Sequence, residues 1–296
     1  MVSSEQVFRG TLRQLESGLT VQLVAETQLR MFDLIEPAQN ALHVMNEFDF
    51  SQAPVTSKGE VVGVVDRDVP STGQTVADWM QPLTSSMMMS AQTNLRDSIR
   101  ILARSSRRYR LILSDAGVSG ILTRSDLQKL PVRLLAFSYV THLESVLAET
   151  IERRSTGDDW VQYLESWDKS LGDLAASAAS AGIGSEAIRR LRSNQTRNEK
   201  FDIVPSLLEV TEFPQKWYVV CRMMNLGEEF ASELAGIQRH LRNSVAHSRN
   251  YVASNSHLEQ LDRRLGLCEK WIDFLSNASN LPHVVPAAAS PHSSAH

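Results

Sequence analysis

Two short stretches carry side chains whose types and spacing suit chemistry on phosphates. In Leu241-Arg-Asn-Ser-Val-Ala-His247, an arginine, an asparagine and a histidine fall within six residues as Arg242, Asn243 and His247. Histidine is the side chain that titrates near neutrality and can move a proton. Arginine stays charged, and its planar fork matches phosphate oxygens. The second stretch is Gly120-Ile-Leu-Thr-Arg-Ser-Asp126. The Thr123 hydroxyl could bond a phosphate or a ribose, and the Asp126 carboxylate could accept both ribose hydroxyls. The plainer alternative is that Thr123 and Asp126 cap the helix beginning at Arg124, since both are good cap residues.

The elements that must hold these groups differ in kind. Over Glu228–Asn250 the spacing predicts one long helix, with Phe230, Leu234, Ile237, Leu241 and Val245 on a single apolar stripe. Glu233, His240, Asn243 and His247 share another face, and Arg239, Arg242 and Arg249 a third. Arg242 and His247 then point about 140° apart at roughly 100° per residue. A site using both needs the reach of Arg242, a local distortion, or a second copy of the helix. His240, one turn before Asn243, is a further proton-transfer candidate.

Ahead of residue 132 the pattern is different. "GEVVGVVDRDV" (59–69) and "GVSGILTRSDL" (117–127) repeat a Gly-rich turn, an apolar strand and an acidic turn. Each follows a helix-like stretch and a short strand, "APVTS" or "RLILSD". Aligning Gly63 with Gly120 gives an internal repeat of about 57 residues. Two β-α-β-β-α units of this kind would bury one shared core. From Pro131 onward helical spacing takes over. The expected division is an N-terminal helix (1–20), a tandem α+β module (21–132), an all-α helical bundle (133–278) and a disordered Pro/Ala/Ser-rich tail (279–296).

Bulk properties narrow the classes. The chain has 296 residues, 42% hydrophobic and 22% charged, as in a folded protein of two domains. Its net charge of -4 provides no global basic field, so nucleic-acid binding would need a local patch. Arg104, Arg107, Arg108 and Arg110, and the cluster at 189–200, are such patches or else solvated helix ends. Cys221 and Cys268 fit reduced thiols rather than a disulfide framework. No Cys/His cluster has zinc spacing, and the two histidines near the C-terminus are incidental by default. No segment has signal-peptide character or approaches the roughly 18 apolar residues of a membrane span. The reading is a cytoplasmic protein without a membrane contact.

Two family resemblances follow from these motifs. "GILTRSD" resembles the closing motif of CBS modules, paired units that bind adenine nucleotides: Gly120, Thr123 and Asp126 match. The first copy departs, with Asp66 where a hydroxyl is expected and an early Asp68, which argues against two equivalent sites. The resemblance implies nucleotide-binding roles for Thr123, Asp126, Asp66 and Asp68, and a regulatory adenine nucleotide (ATP, ADP or AMP). "RNSVAH" resembles the signature of HEPN domains, helical bundles that commonly dimerise and in many cases cut RNA without metal. That resemblance implies catalytic roles for Arg242, Asn243 and His247, RNA contacts for Arg239 and Arg249, no required cofactor, no metal and a homodimer. Together they describe a tandem CBS-like module followed by a HEPN-like all-α domain. The expected function is a nucleotide-responsive endoribonuclease, by family analogy in defence or stress response. The alternative is a non-catalytic nucleotide-sensing or RNA-binding adaptor.

Overall fold

The computed structural model describes residues 4–69, 73–166, 183–199, 206–243, 252 and 254–278. Helix α1 (Ser4–Gly18) precedes the first repeat, β1 (Phe32–Asp33), α2 (Ala38–Glu47), β2 (Gln52–Ser57) and β3 (Glu60–Asp66). A short α3 (Val76–Trp79) and β4 (Gln81–Pro82) lead to the second repeat, β5 (Met88–Ser90), α4 (Leu95–Ala103), β6 (Tyr109–Ser114) and β7 (Gly117–Thr123). In each repeat the first two strands pair in parallel and the last two form an antiparallel hairpin. Strands β2 and β6 begin at 52 and 109, and β3 and β7 at 60 and 117, an offset of 57 in both cases.

The repeat extends to irregularities. Val55 faces Gly63 and Thr56 faces Val61, so the partner strand carries one extra residue; Ile112 facing Gly120 and Leu113 facing Val118 make the same bulge. Lys58 and Gly59 have φ of 51° and 86°, as a two-residue hairpin with both central residues left-handed requires. Gly63 and Gly120 are glycine for another reason: a neighbouring backbone runs against each. A Cβ at 63 would meet the Gln81 carbonyl oxygen at 2.5 Å, and one at 120 would meet that of Glu26 at 2.9 Å.

Those neighbours cross between repeats. Strand β4, which introduces the second repeat, pairs with β3 of the first at Gly63 and Val64. The segment introducing the first repeat pairs with β7 of the second, Glu26 and Ile121 exchanging two 2.9 Å backbone hydrogen bonds. Successive residues of β3 point to opposite faces. Val65 packs with Ala41, Met45 and Val55 beside α2, while Val64 packs with Tyr109, Leu111 and Ile121 of the other repeat. The shared core expected from the sequence lies between the two hairpins.

The remaining elements are helical: α5 (Leu130–Arg154), a 3₁₀ segment (Asp159–Ser166), α6 (Ile183–Glu199), α7 (Phe213–Met223), α8 (Glu228–Ile237) and α9 (Asn255–Ala278). The chain divides into two compact units, Met1–Tyr139 with Leu241–Gly266, and Val140–His240 with Leu267–His296. In the first unit, α9 is fastened to α4 by Arg96, which donates to Asp262 Oδ1 at 2.5 Å and to its carbonyl at 3.4 Å. In the second, the Phe230 and Trp271 rings meet edge-on at 4.7 Å, and the Trp271 indole donates to Glu233 at 2.7 Å. Buried Lys216 is paired with Glu144 at 2.8 Å. Trp217 and Tyr218 are part of this core.

Of the single helix expected over 228–250, residues 244–250 lie outside the described residues, and the described part, 228–243, is not regular. Just after Gly236, α8 ends at Ile237 and the chain widens into a π turn over Gln238–Arg242. Here the hydrogen bonds run to the fifth residue back instead of the fourth. The α-helical angles expected between Arg239, His240 and Arg242 therefore do not apply. The tail at 279–296 lies outside the described residues. Among the described residues no helix is long and apolar enough to cross a membrane.

Candidate functional site

A cavity of about 510 Å³ opens in the first unit where the end of β7 faces the start of β2. Thr123, Arg124, Ser125 and Asp126 form one side, Asp49, Phe50, Ser51 and Gln52 another, with Glu26 and Arg108 at the margins. Phe50, Ile121 and Val252 provide apolar wall. Its size is within the range of small-ligand sites.

The polar groups are held by local bonds. The Thr123 N–H and hydroxyl both donate to Asp126 Oδ2, at 2.7 and 2.8 Å, and Thr123 Oγ1 lies 2.7 Å from Ser125 Oγ. Lys129 Nζ lies 2.8 Å from Asp126 Oδ1. The expected helix from Arg124 is a short 3₁₀ turn, Ser125–Gln128, with Arg124 at its N-cap position. The Thr123–Asp126 bonds nonetheless repeat those of a capping box elsewhere, where the Thr75 N–H and hydroxyl donate to Asp78 Oδ2, both at 2.9 Å. These bonds hold Asp78 below its usual titration range. A carboxylate has about four acceptor positions. Among the described residues, Asp126 uses two on Oδ2 and one on Oδ1, which leaves one for a ligand hydroxyl.

The first repeat does not offer the same surface. At the 57-residue offset, Asp66 takes the place of Thr123 and Asp68 that of Ser125. Asp66 accepts from Gln52 Nε2 at 3.2 Å and from the Asp68 N–H at 3.0 Å, and Asp68 pairs with Arg108 at 2.7 Å. Neither aspartate lines the cavity. Two carboxylates where the second repeat has two hydroxyls would repel a phosphate.

The other candidate cations are spread out. Arg107 donates to Gln81 Oε1 at 2.8 Å, and Arg104 lies 4.0 Å from Asp262. Arg110 is buried and donates to the Tyr109 carbonyl, and burial, followed by the Arg107 charge, lowers its pKa. Of the four, Arg108 reaches the cavity. Residues that the sequence reading passed over, Glu26, Phe50, Ser51, Arg124, Ser125 and Val252, also line it. The repeat offset held a signal for one of them, because Ser51 and Arg108 are 57 residues apart.

In the helical part, Arg239 and His240 are exposed, while Arg242 and Asn243 are half-buried at the end of the π turn. His247 and Arg249 lie outside the described residues. Arg189, Arg190 and Arg192 are exposed on α6. Among the described residues no group of three or more His, Cys, Asp or Glu could hold a metal ion.

No family model matches the chain, and no curated protein does. Solved structures of CBS-pair proteins are similar to about 40% of the chain, in its N-terminal part. One is described as CBSX2 in complex with AMP, 24% identical over 40% of this chain and 98% of that one, with a TM-score of 0.36. CBSX2 from Arabidopsis thaliana is 23% identical over 39% and 96%, with a TM-score of 0.35. The CBS domain of a bacterial CNNM/CorC family Mg2+ transporter in complex with ATP is 17% identical over 42% and 94%, with a TM-score of 0.34.

Proposed function

We propose that the paired repeats are a CBS-type module that binds one adenine nucleotide per chain and that the protein is a nucleotide-responsive regulator. The observation that carries this reading is the cavity itself. It joins two hydroxyls, Thr123 and Ser125, and two guanidinium groups, Arg108 and Arg124, to the carboxylate of Asp126 and an apolar wall. Hydroxyls and guanidinium groups suit phosphate, the carboxylate suits a ribose hydroxyl, and Phe50 and Ile121 suit a base. The pseudo-equivalent position carries Asp66 and Asp68, so the expected stoichiometry is one. Calorimetry with AMP, ADP and ATP tests this. One site, lost in Asp126→Ala, supports the reading; no binding of any of the three at millimolar concentration overturns it.

For the output of this module we propose a metal-independent endoribonuclease acting through Arg242, Asn243 and His247, with Arg239 and Arg249 as RNA contacts and a second chain completing the site. The specific support is the π turn. It makes the backbone irregular up to Arg242, where the motif begins. A local distortion is one of three routes, with the reach of Arg242 and a second copy of the helix, to a site that uses Arg242 and His247 together. RNA incubated in EDTA should be cut by the wild type and left intact by Arg242→Ala and His247→Ala. No cleavage with or without nucleotide would leave the adaptor reading in its place.

A further inference from the structure

We propose that the nucleotide cavity is completed by the C-terminal part of the chain: Val252 walls the base, and Asn255 positions the Arg124 guanidinium for the ligand's phosphate. Ligand binding and the seating of the first turns of α9 are then one coupled event. The inference rests on the nucleotide reading above.

Val252 lines the cavity and is 2% exposed. It comes from a point in the sequence far from both repeats, so the repeats by themselves would leave that wall open. Three residues further on, Asn255 Oδ1 accepts from Arg124 NH1 at 2.7 Å. The type of partner matters. An amide oxygen fixes the guanidinium without cancelling its charge, and a guanidinium has five donors, so most remain for a phosphate. The charge of Arg108, the other cation at the cavity, is already matched by Asp68. Among the described residues, Arg124 is therefore the cavity cation with no carboxylate against it, and its charge is available to the ligand. About two turns along α9, Asp262 is tied to Arg96, which is 5% exposed. Separating a buried pair of this kind leaves an uncompensated charge. The tie holds α9 against α4 and so holds Asn255 beside Arg124. By reciprocity, whatever strengthens ligand binding through Arg124 and Val252 strengthens the seating of α9 by the same factor.

Adenosine and AMP differ in the phosphate alone, and titrating both by calorimetry separates positioning from general damage. In Asn255→Ala the AMP dissociation constant should rise about tenfold, the low end for one hydrogen bond to a charged group. That for adenosine should stay within about twofold of wild type on the same scale. Val252→Ala should weaken both ligands. In the wild type, hydrogen exchange of amides 255–262 should slow on AMP saturation, a readout that needs no variant to fold. Equal effects of Asn255→Ala on AMP and adenosine, no effect on either, or unchanged exchange with AMP bound would overturn the inference and leave the nucleotide reading standing. Failure of the wild type to bind AMP or ATP would overturn both.

Discussion

Thr123 and Asp126 are bonded to each other as Thr75 and Asp78 are, yet the first pair faces a cavity and the second caps a short helix. The bond pattern identifies a cap, and the surroundings distinguish a candidate ligand site. Asp126→Ala should therefore do two things: lower the stability of the ligand-free protein by about 1 kcal/mol, the usual worth of a cap, and abolish the nucleotide-dependent rise in Tm. A stability loss with an unchanged rise would reduce Asp126 to its structural role. Arg108 offers a gain-of-function test at the same scale. Its 2.7 Å pairing with Asp68 competes with any phosphate, and exposed pairs of this type are worth about 1 kcal/mol or less. Asp68→Asn should tighten AMP binding by about twofold to fivefold, measured by calorimetry; weaker binding would show that Asp68 is needed in place. The motif residues were legible in the sequence because a hydroxyl and a carboxylate follow a glycine at fixed spacing. Arg124 and Val252 were not, because their part in the cavity depends on chain segments more than 120 residues apart.

The repeat was legible at the level of elements. Glycine, alternating apolar residues and acidic turns recur at one interval, and both hairpins form where that pattern lies. The crossed pairing was hidden, since β4 is two residues long and too short for alternation to register. The glycines now test it. Gly63→Ala places a methyl 2.5 Å from the Gln81 oxygen and 2.7 Å from Met80 Sδ, while Gly120→Ala meets the Glu26 oxygen at 2.9 Å. Overpacking of this kind costs about 1–3 kcal/mol, and Gly63→Ala should be the more damaging in urea unfolding. The π turn was equally hidden. Side-chain spacing near the end of a helix looks the same whether the backbone bonds to the fourth or the fifth residue back. As far as Leu241 the apolar stripe survives the change, with Ile237 and Leu241 both buried; Val245 lies outside the described residues.

At the scale of the molecule, an α+β part followed by helices was readable from the change of periodicity near residue 132. Less readable was that Leu241–Gly266 packs with the first unit. The segment carrying Arg242 and Asn243 is therefore in the same compact unit as the cavity at Thr123 and Asp126. If the protein cuts RNA through that segment, cleavage in EDTA should change by severalfold on adding saturating AMP or ATP. A rate indifferent to either nucleotide would separate the two halves of the proposal. Light scattering supplies the companion test, because a strict monomer could not place two copies of the motif together. One further consequence follows from the crossed strands. Glu26 closes on Ile121, 95 residues later. On a ribosome, the segment that edges the second hairpin leaves the exit tunnel long before its partner exists. The first repeat can fold once β4 is made, but in its own leading segment Val21, Gln22 and Glu26 must wait for their backbone partners Thr93, Ala91 and Ile121. Contacts this distant in sequence form slowly, so the N-terminal segment stays open to a protease or a chaperone for much of synthesis.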